Sequence, residues 1–190
     1  MKKAFFTLLL LLSTVAFSAD PQALVKAKDT ELQQLLKKKS RDAKETETVK
    51  KLINGIFDFQ TMAKKSLPVK TWKKLTPAEQ TEFTTVFQSM VENTSIKKLE
   101  VYKADSTQYA PTEISGEKAV VTATVWNKGR KAVVVYKMEL QSGDWKAWDF
   151  VMDDVSTVEN YREQYSKYLE KKTFAELIDL LRKKAEENAK

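Results

Sequence analysis

The side chains able to do chemistry in this chain gather in one short stretch. Three carboxylates, Asp149, Asp153 and Asp154, are followed closely by a Tyr161-Arg162 pair. The chain has no Cys and no His. That removes thiolate nucleophiles, Ser-His-Asp triads, the common structural zinc sites and histidine-ligated haem. The carboxylates have no partners at a spacing that demands a metal or an acid/base pair, so neither a metal site nor a catalytic residue is expected. Asp153 and Asp154 precede a helix start, where negative charge is favourable by about 0.3–1 kcal/mol. Asp149 sits between aromatic positions on a strand and is expected to pair with a Lys or Arg; proton transfer with a buried Tyr is the alternative. Arg162 has two readings: a guanidinium holding a phosphate at the mouth of an apolar pocket, or an ion pair with Asp149 or Asp154. No glycine-rich phosphate loop is present.

The elements that must position these residues read as helices first and strands second. A helix starts near Pro21 and sets Leu24, Val25, Leu32, Leu35 and Leu36 on one face, interrupted by Lys28. A second carries Val49, Leu52, Ile53 and Ile56, with Asn54-Gly55 a candidate end. Asp58 can cap a third, with Phe59, Met62 and Leu67 inward, and Pro68 stops it. Thr76-Pro-Ala-Glu79 is a capping box opening a helix with Phe83, Val86, Phe87, Met90 and Val91 on one stripe. Asn93-Thr94-Ser95 interrupts that phase, so a kink or frayed turn is expected before Ile96. The stripe itself is either plain core or one wall of a flexible apolar cavity.

From Ser106 the period becomes two. Candidate strands are 106–114, 118–126, 131–140 and 145–154, joined by turns at Ser115-Gly116, Asn127-Lys-Gly129 and Ser142-Gly143-Asp144. Short turns force antiparallel neighbours, and Pro111 marks an edge strand. Parity puts Val121, Ala123, Val125, Val134, Tyr136 and Met138 on one face with Trp148, Phe150 and Met152. The other face is mixed, with Val133, Val135 and Trp145. Ser156 with Glu159, and Thr173 with Glu176, are two more capping boxes, opening helices that bury Tyr161 and Tyr165 and then Phe174, Leu177 and Leu181. The fold class is α+β: a curved four-stranded antiparallel sheet covered on one face by helices.

Residues 1–18 read as a cleaved signal peptide. Lys2-Lys3 leads an apolar run too short for a comfortable bilayer span, and Ala16-Phe-Ser18 offers small residues for cleavage. Residues 19–190 then form a single soluble, exported domain. Losing Lys2 and Lys3 leaves about +5 of the formal +7. The remaining basic residues come in scattered pairs, as solvated helix faces do, or as weak attraction to anionic headgroups would require. Nucleic acid is not an expected partner.

Three segments carry a family resemblance: Phe57-Asp-Phe-Gln-Thr-Met-Ala-Lys-Lys-Ser-Leu67, the run from Leu75-Thr-Pro-Ala-Glu-Gln to Phe87 with Trp72 before it, and Trp145 to Tyr165 with its Val155-Ser156 and Asn160-Tyr-Arg162. In this order they resemble the MlaC family, the toluene-tolerance component of a lipid ABC transport system. The resemblance implies a soluble periplasmic protein that carries phospholipid as cargo, with no other cofactor. It implies partners at an inner-membrane ABC transporter with a ring-forming lipid-binding subunit and at an outer-membrane lipoprotein–porin complex, and so a part in outer-membrane lipid asymmetry. It also implies a cone like nuclear transport factor two, with an apolar pocket. Val121, Val125, Val134, Tyr136, Met138, Trp148, Phe150 and Met152 are then the expected sheet wall. Phe59, Phe83, Phe87, Met90 and Tyr161 would close it from the helices, with Arg162 at the headgroup. An enzyme on a similar cone, or a domain that binds only a partner protein, stays open as an alternative.

Overall fold

Capping carboxylates set most helix starts. The computed structural model describes residues 20–38, 42–97 and 103–189, so the expected leader lies outside the described residues. Helix α1 (Pro21–Leu36) starts on Asp20, whose side chain accepts from the Gln22 N–H. α2 (Ala43–Ile56) starts on a reciprocal Asp42–Glu45 capping box. It ends at Ile56, one residue past Asn54-Gly55. α3 (Phe59–Ser66) starts on Asp58, and one short turn, α4 (Val69–Trp72), follows Pro68. α5 (Pro77–Lys97) has the Thr76–Glu79 box in both directions. It passes Asn93-Thr94-Ser95 with no break, because those polar groups find partners: Asn93 donates to the Ala185 carbonyl and Thr94 accepts from Asn188.

The sheet has six strands, not four. Pro111 lies in a gap that splits the first candidate into β1 (Ser106–Tyr109) and β2 (Glu113–Ser115), and both pair with β3 (Lys118–Asn127). β4 (Arg130–Gln141) and β5 (Asp144–Met152) continue the antiparallel meander. A two-residue β6 (Val155–Ser156) returns along β5. Asp153 and Asp154 therefore form a hairpin turn rather than the lead-in to a helix. Both have positive φ, as do Lys128-Gly129 and Ser142-Gly143 at the β3–β4 and β4–β5 hairpins, which the type I′ geometry requires. The sheet is open, ordered β1-β3-β4-β5-β6.

A β-bulge at Trp148 of β5, opposite Lys137 and Met138 of β4, resets the parity of β5. Tyr136 pairs with Phe150 and Lys137 with Asp149, but Met138 pairs with Ala147 and Leu140 with Trp145. Trp145 and Ala147 thus join the inner face, against the alternation read along β5. Trp148 moves to the outer face, where the Lys65 ammonium lies 4.2 Å above its ring and that of Lys137 5.6 Å away.

Two cores result. Under α1 and α2, Val25 and Ile56 pack on Ala119, Val121, Met138, Trp145 and Ala147 of the inner face. The second core is helical: α3 and α5 meet α6 (Thr157–Leu169) and α7 (Phe174–Ala189) through Phe83, Phe87, Met90, Tyr165 and Leu177. α3 and α6 pack on β5, so the helical group stands at the sheet's β5 end. Phe57 packs against both cores, and its backbone bridges to Ala147.

Candidate functional site

The inner face is unevenly covered. Toward one end Ala119, Val121, Met138 and Trp145 are buried. Toward the other, Val125, Tyr136, Phe150 and Met152 point inward yet stay half-exposed. Apolar side chains on a helix-covered face keep that exposure only where the cover stands off. Ala123 and Ala132, small residues on the same face, widen the gap.

The gap is a cavity of about 540 Å³ between α1 and the inner faces of β1, β3, β4 and β5, within the size range of ligand sites. Leu32 of α1 faces Val125, Val134, Tyr136, Phe150 and Met152 across it. A second cavity of about 260 Å³ adjoins it, formed by α2, Phe59 and Met62 of α3, Val91 of α5 and Tyr161 of α6. Leu32, Tyr136 and Phe150 line both, so they form the partition. The partition is an aromatic cluster: the Tyr136 and Phe150 rings are 5.4 Å apart at 71°, and Phe57 is 6.2 Å from each. Val155, 60% exposed, stands at the mouth of the smaller cavity.

Polar contacts pin α1 over the larger cavity. The Tyr109 hydroxyl donates to Asp29 at 3.1 Å, the Gln22 amide to the Ala110 carbonyl at 2.6 Å, and the Ala104 N–H to Gln33 at 2.9 Å. Burial, and then the Asp29 charge and hydrogen bond, push the Tyr109 phenol well above its ordinary value. It therefore stays a neutral donor at any physiological pH.

The expected wall residues divide three ways. Val125, Val134, Tyr136, Phe150 and Met152 line the larger cavity; Phe59 and Tyr161 line the smaller one with Tyr136 and Phe150. Phe83, Phe87 and Met90 instead belong to the helical core, where Phe83 stacks on Phe87 at 5.9 Å and meets Tyr165 edge-on. Val121 and Met138 are buried beneath α1 and α2. Trp148 is on the outer face, and Arg162 pairs with Glu159 at 3.8 Å on the exposed side of α6, lining neither cavity. Sequence reasoning missed Leu32, Phe57 and the Leu52-Ile53-Ile56 group of α2 as cavity walls. The helical stripe of α1 and α2 named these side chains as inward, but not which would stand off the sheet.

Asp149 is fully buried and occupied by structure. Its carboxylate accepts from the Ser156 hydroxyl at 2.7 Å and the Val158 N–H at 3.1 Å, and pairs with Lys137 at 3.0 Å. It holds the first turn of α6 against β5, while Ser156 accepts from the Glu159 N–H. Among the described residues no three His, Cys, Asp or Glu side chains converge as metal ligands. No helix among them is long and apolar enough to cross a membrane.

Residues 26–183 match the family model described as MlaC protein. No curated protein matches the sequence. Among solved structures, a phospholipid-binding protein of Ralstonia solanacearum, determined in complex with a phospholipid, shares the fold. Its TM-score is 0.74 at 22% identity, over 90% of this chain and 100% of that one.

Proposed function

Because the chain belongs to the MlaC family, we propose that it binds one phospholipid at a time, with acyl chains in the two adjoining cavities, and ferries it between membranes. The observation that carries this reading is the half-covered apolar inner face, walled by Val125, Val134, Tyr136, Phe150 and Met152 and extended past Phe150 to Phe59 and Tyr161. Exposing an acyl chain to water costs about 0.8 kcal/mol per CH₂, so uncovered transfer is prohibitively slow. Bilayer and cavity are both apolar, so the two environments nearly cancel and loading is reversible. Two compartments that part at Leu32, Tyr136 and Phe150 suit a cargo with two chains.

In this reading residues 1–18 are a leader removed on export, and 19–190 work as one soluble periplasmic domain, an open-ended cone like nuclear transport factor two. Cargo passes between an inner-membrane ABC transporter with a ring-forming subunit and an outer-membrane lipoprotein–porin complex. The occupied valences of Asp149 favour a carrier over an enzyme. Native mass spectrometry of the full chain purified from a Gram-negative host, followed by uptake from labelled vesicles, tests the proposal. The expected result is protein carrying phospholipid and exchanging it with vesicles. Empty protein that takes up none refutes it.

A further inference from the structure

The rim of the larger cavity carries charge that the apolar walls do not need. Asn127 and Arg130 are cross-strand partners at the β3–β4 hairpin. By alternation with Val125 and with Ala132, Val134 and Tyr136, both belong to the inner face. Lys103 precedes β1 at the same end of the sheet, and all three line the cavity. Arg130 is exposed and has no ion-pair partner among the described residues, unlike Arg162 or Arg182, each of which meets a carboxylate. Lys131, which alternates to the outer face, and two carboxylates complete the rim. Asp29 is held by Tyr109, and Asp153 accepts from the Val133 N–H at 2.9 Å.

We infer that this rim is a headgroup site: Arg130 and Asn127 bind the phosphodiester of the cargo, and Asp29 and Asp153 face a cationic amine beyond it. The inference rests on the lipid-carrier reading. A guanidinium presents N–H donors in a planar fork that matches two phosphate oxygens, and Asn127 supplies another donor alongside. At the lip of an apolar cavity this places the phosphate at the water boundary while the chains go inward. The two carboxylates oppose a second negative charge, so a zwitterionic phosphodiester fits better than a phosphate monoester.

The test uses the full chain stripped of lipid and three probes in neutral carrier vesicles: dioleoyl phosphatidylethanolamine, dioleoyl phosphatidic acid and dioleoylglycerol. Inorganic phosphate alone is a fourth probe. Wild type should take the phosphatidylethanolamine several-fold more tightly than the phosphatidic acid. Arg130→Gln should weaken phosphatidylethanolamine binding about tenfold and leave dioleoylglycerol unchanged, with Arg130→Lys recovering part of the loss. Unchanged melting temperatures would exclude a folding defect in either variant. Equal binding of phosphatidylethanolamine by Arg130→Gln and wild type overturns the headgroup site while the carrier reading stands, as does an equal loss for both lipids. A preference for phosphatidic acid overturns the zwitterion assignment. Saturation by millimolar inorganic phosphate without any effect on lipid uptake makes the site one for free phosphate. Failure of wild type to take up any of the three lipids refutes the carrier reading itself.

Discussion

Replacing Asp149 with Ala separates a structural carboxylate from a chemical one. The substitution orphans the Val158 N–H in a buried setting, at about 1–3 kcal/mol. It also loosens the Ser156 cap of α6, and caps of this kind contribute about 0.5–2 kcal/mol. Lys137 contributes least to this loss, because its side chain is 34% exposed and the ammonium turns to water, at under about 1 kcal/mol. The sum is dominated by the helix start and comes to about 3 kcal/mol, a fall in melting temperature of about 6–12 °C for a chain of this size. Asp149→Asn keeps an acceptor and should lose about half as much, while Lys137→Met leaves the fully buried carboxylate without its counter-charge and should cost about 3 kcal/mol, about 6–12 °C. Thermal melts followed by circular dichroism read all three, with lipid uptake measured well below each midpoint. A melting temperature for Asp149→Ala within about 2 °C of wild type would refute the capping argument. An Asp149→Asn protein of nearly wild-type stability that lost uptake would refute the purely structural role.

The cavity and the helical core should respond in opposite ways. Ala132→Trp puts an indole into the larger cavity and should abolish most lipid uptake while changing stability by only about 1 kcal/mol. Phe83→Ala empties the helical core and should cost about 3–5 kcal/mol while leaving uptake per folded molecule intact; unimpaired uptake by Ala132→Trp would move the binding site elsewhere. Asp58 gives a pH signature. Burial raises its pKa, but hydrogen bonds from Thr61 and Gln141 outweigh that and hold it below the ordinary 3.8. The folded state therefore binds fewer protons than the unfolded chain near that value, and the stabilisation, present above it, fades as pH falls through the lowered native value. Wild type should melt above Asp58→Asn by a constant margin from about pH 5 upward, and the margin should shrink below about pH 3. A margin that grows on acidification would reverse the assigned direction.

What could be read from residues alone was whatever has a local code. Thr76–Glu79 and Thr173–Glu176 are boxes because donor and acceptor sit three residues apart, and both form in both directions. The strands of the meander follow from period two and from turns needing positive φ. The bulge opposite Lys137 has no such code. Trp145-Lys-Ala-Trp-Asp-Phe150 presents apolar residues at either parity, so Trp148 was placed on the wrong face. The Phe83-Phe87-Met90 stripe was legible as inward, but what it faces depends on α7, which is remote in sequence. Asp149 caps a helix seven to nine residues away across a hairpin, so the Ser156 hydroxyl was visible and its carboxylate partner was not.

The helical core is built from both sides of the sheet in sequence: α3 and α5 precede β1, and α6 and α7 follow β6. A chain made from its N-terminus therefore presents Phe83, Phe87 and Met90 long before Tyr165, Leu177 and Leu181 exist to cover them. The whole meander must be synthesised, and its loop closed, before α5 meets α7. Until then the α5 stripe is an uncovered apolar surface, the kind of segment that invites aggregation or capture by a holding chaperone. The order of elements thus makes the nascent chain slow to commit to its final packing.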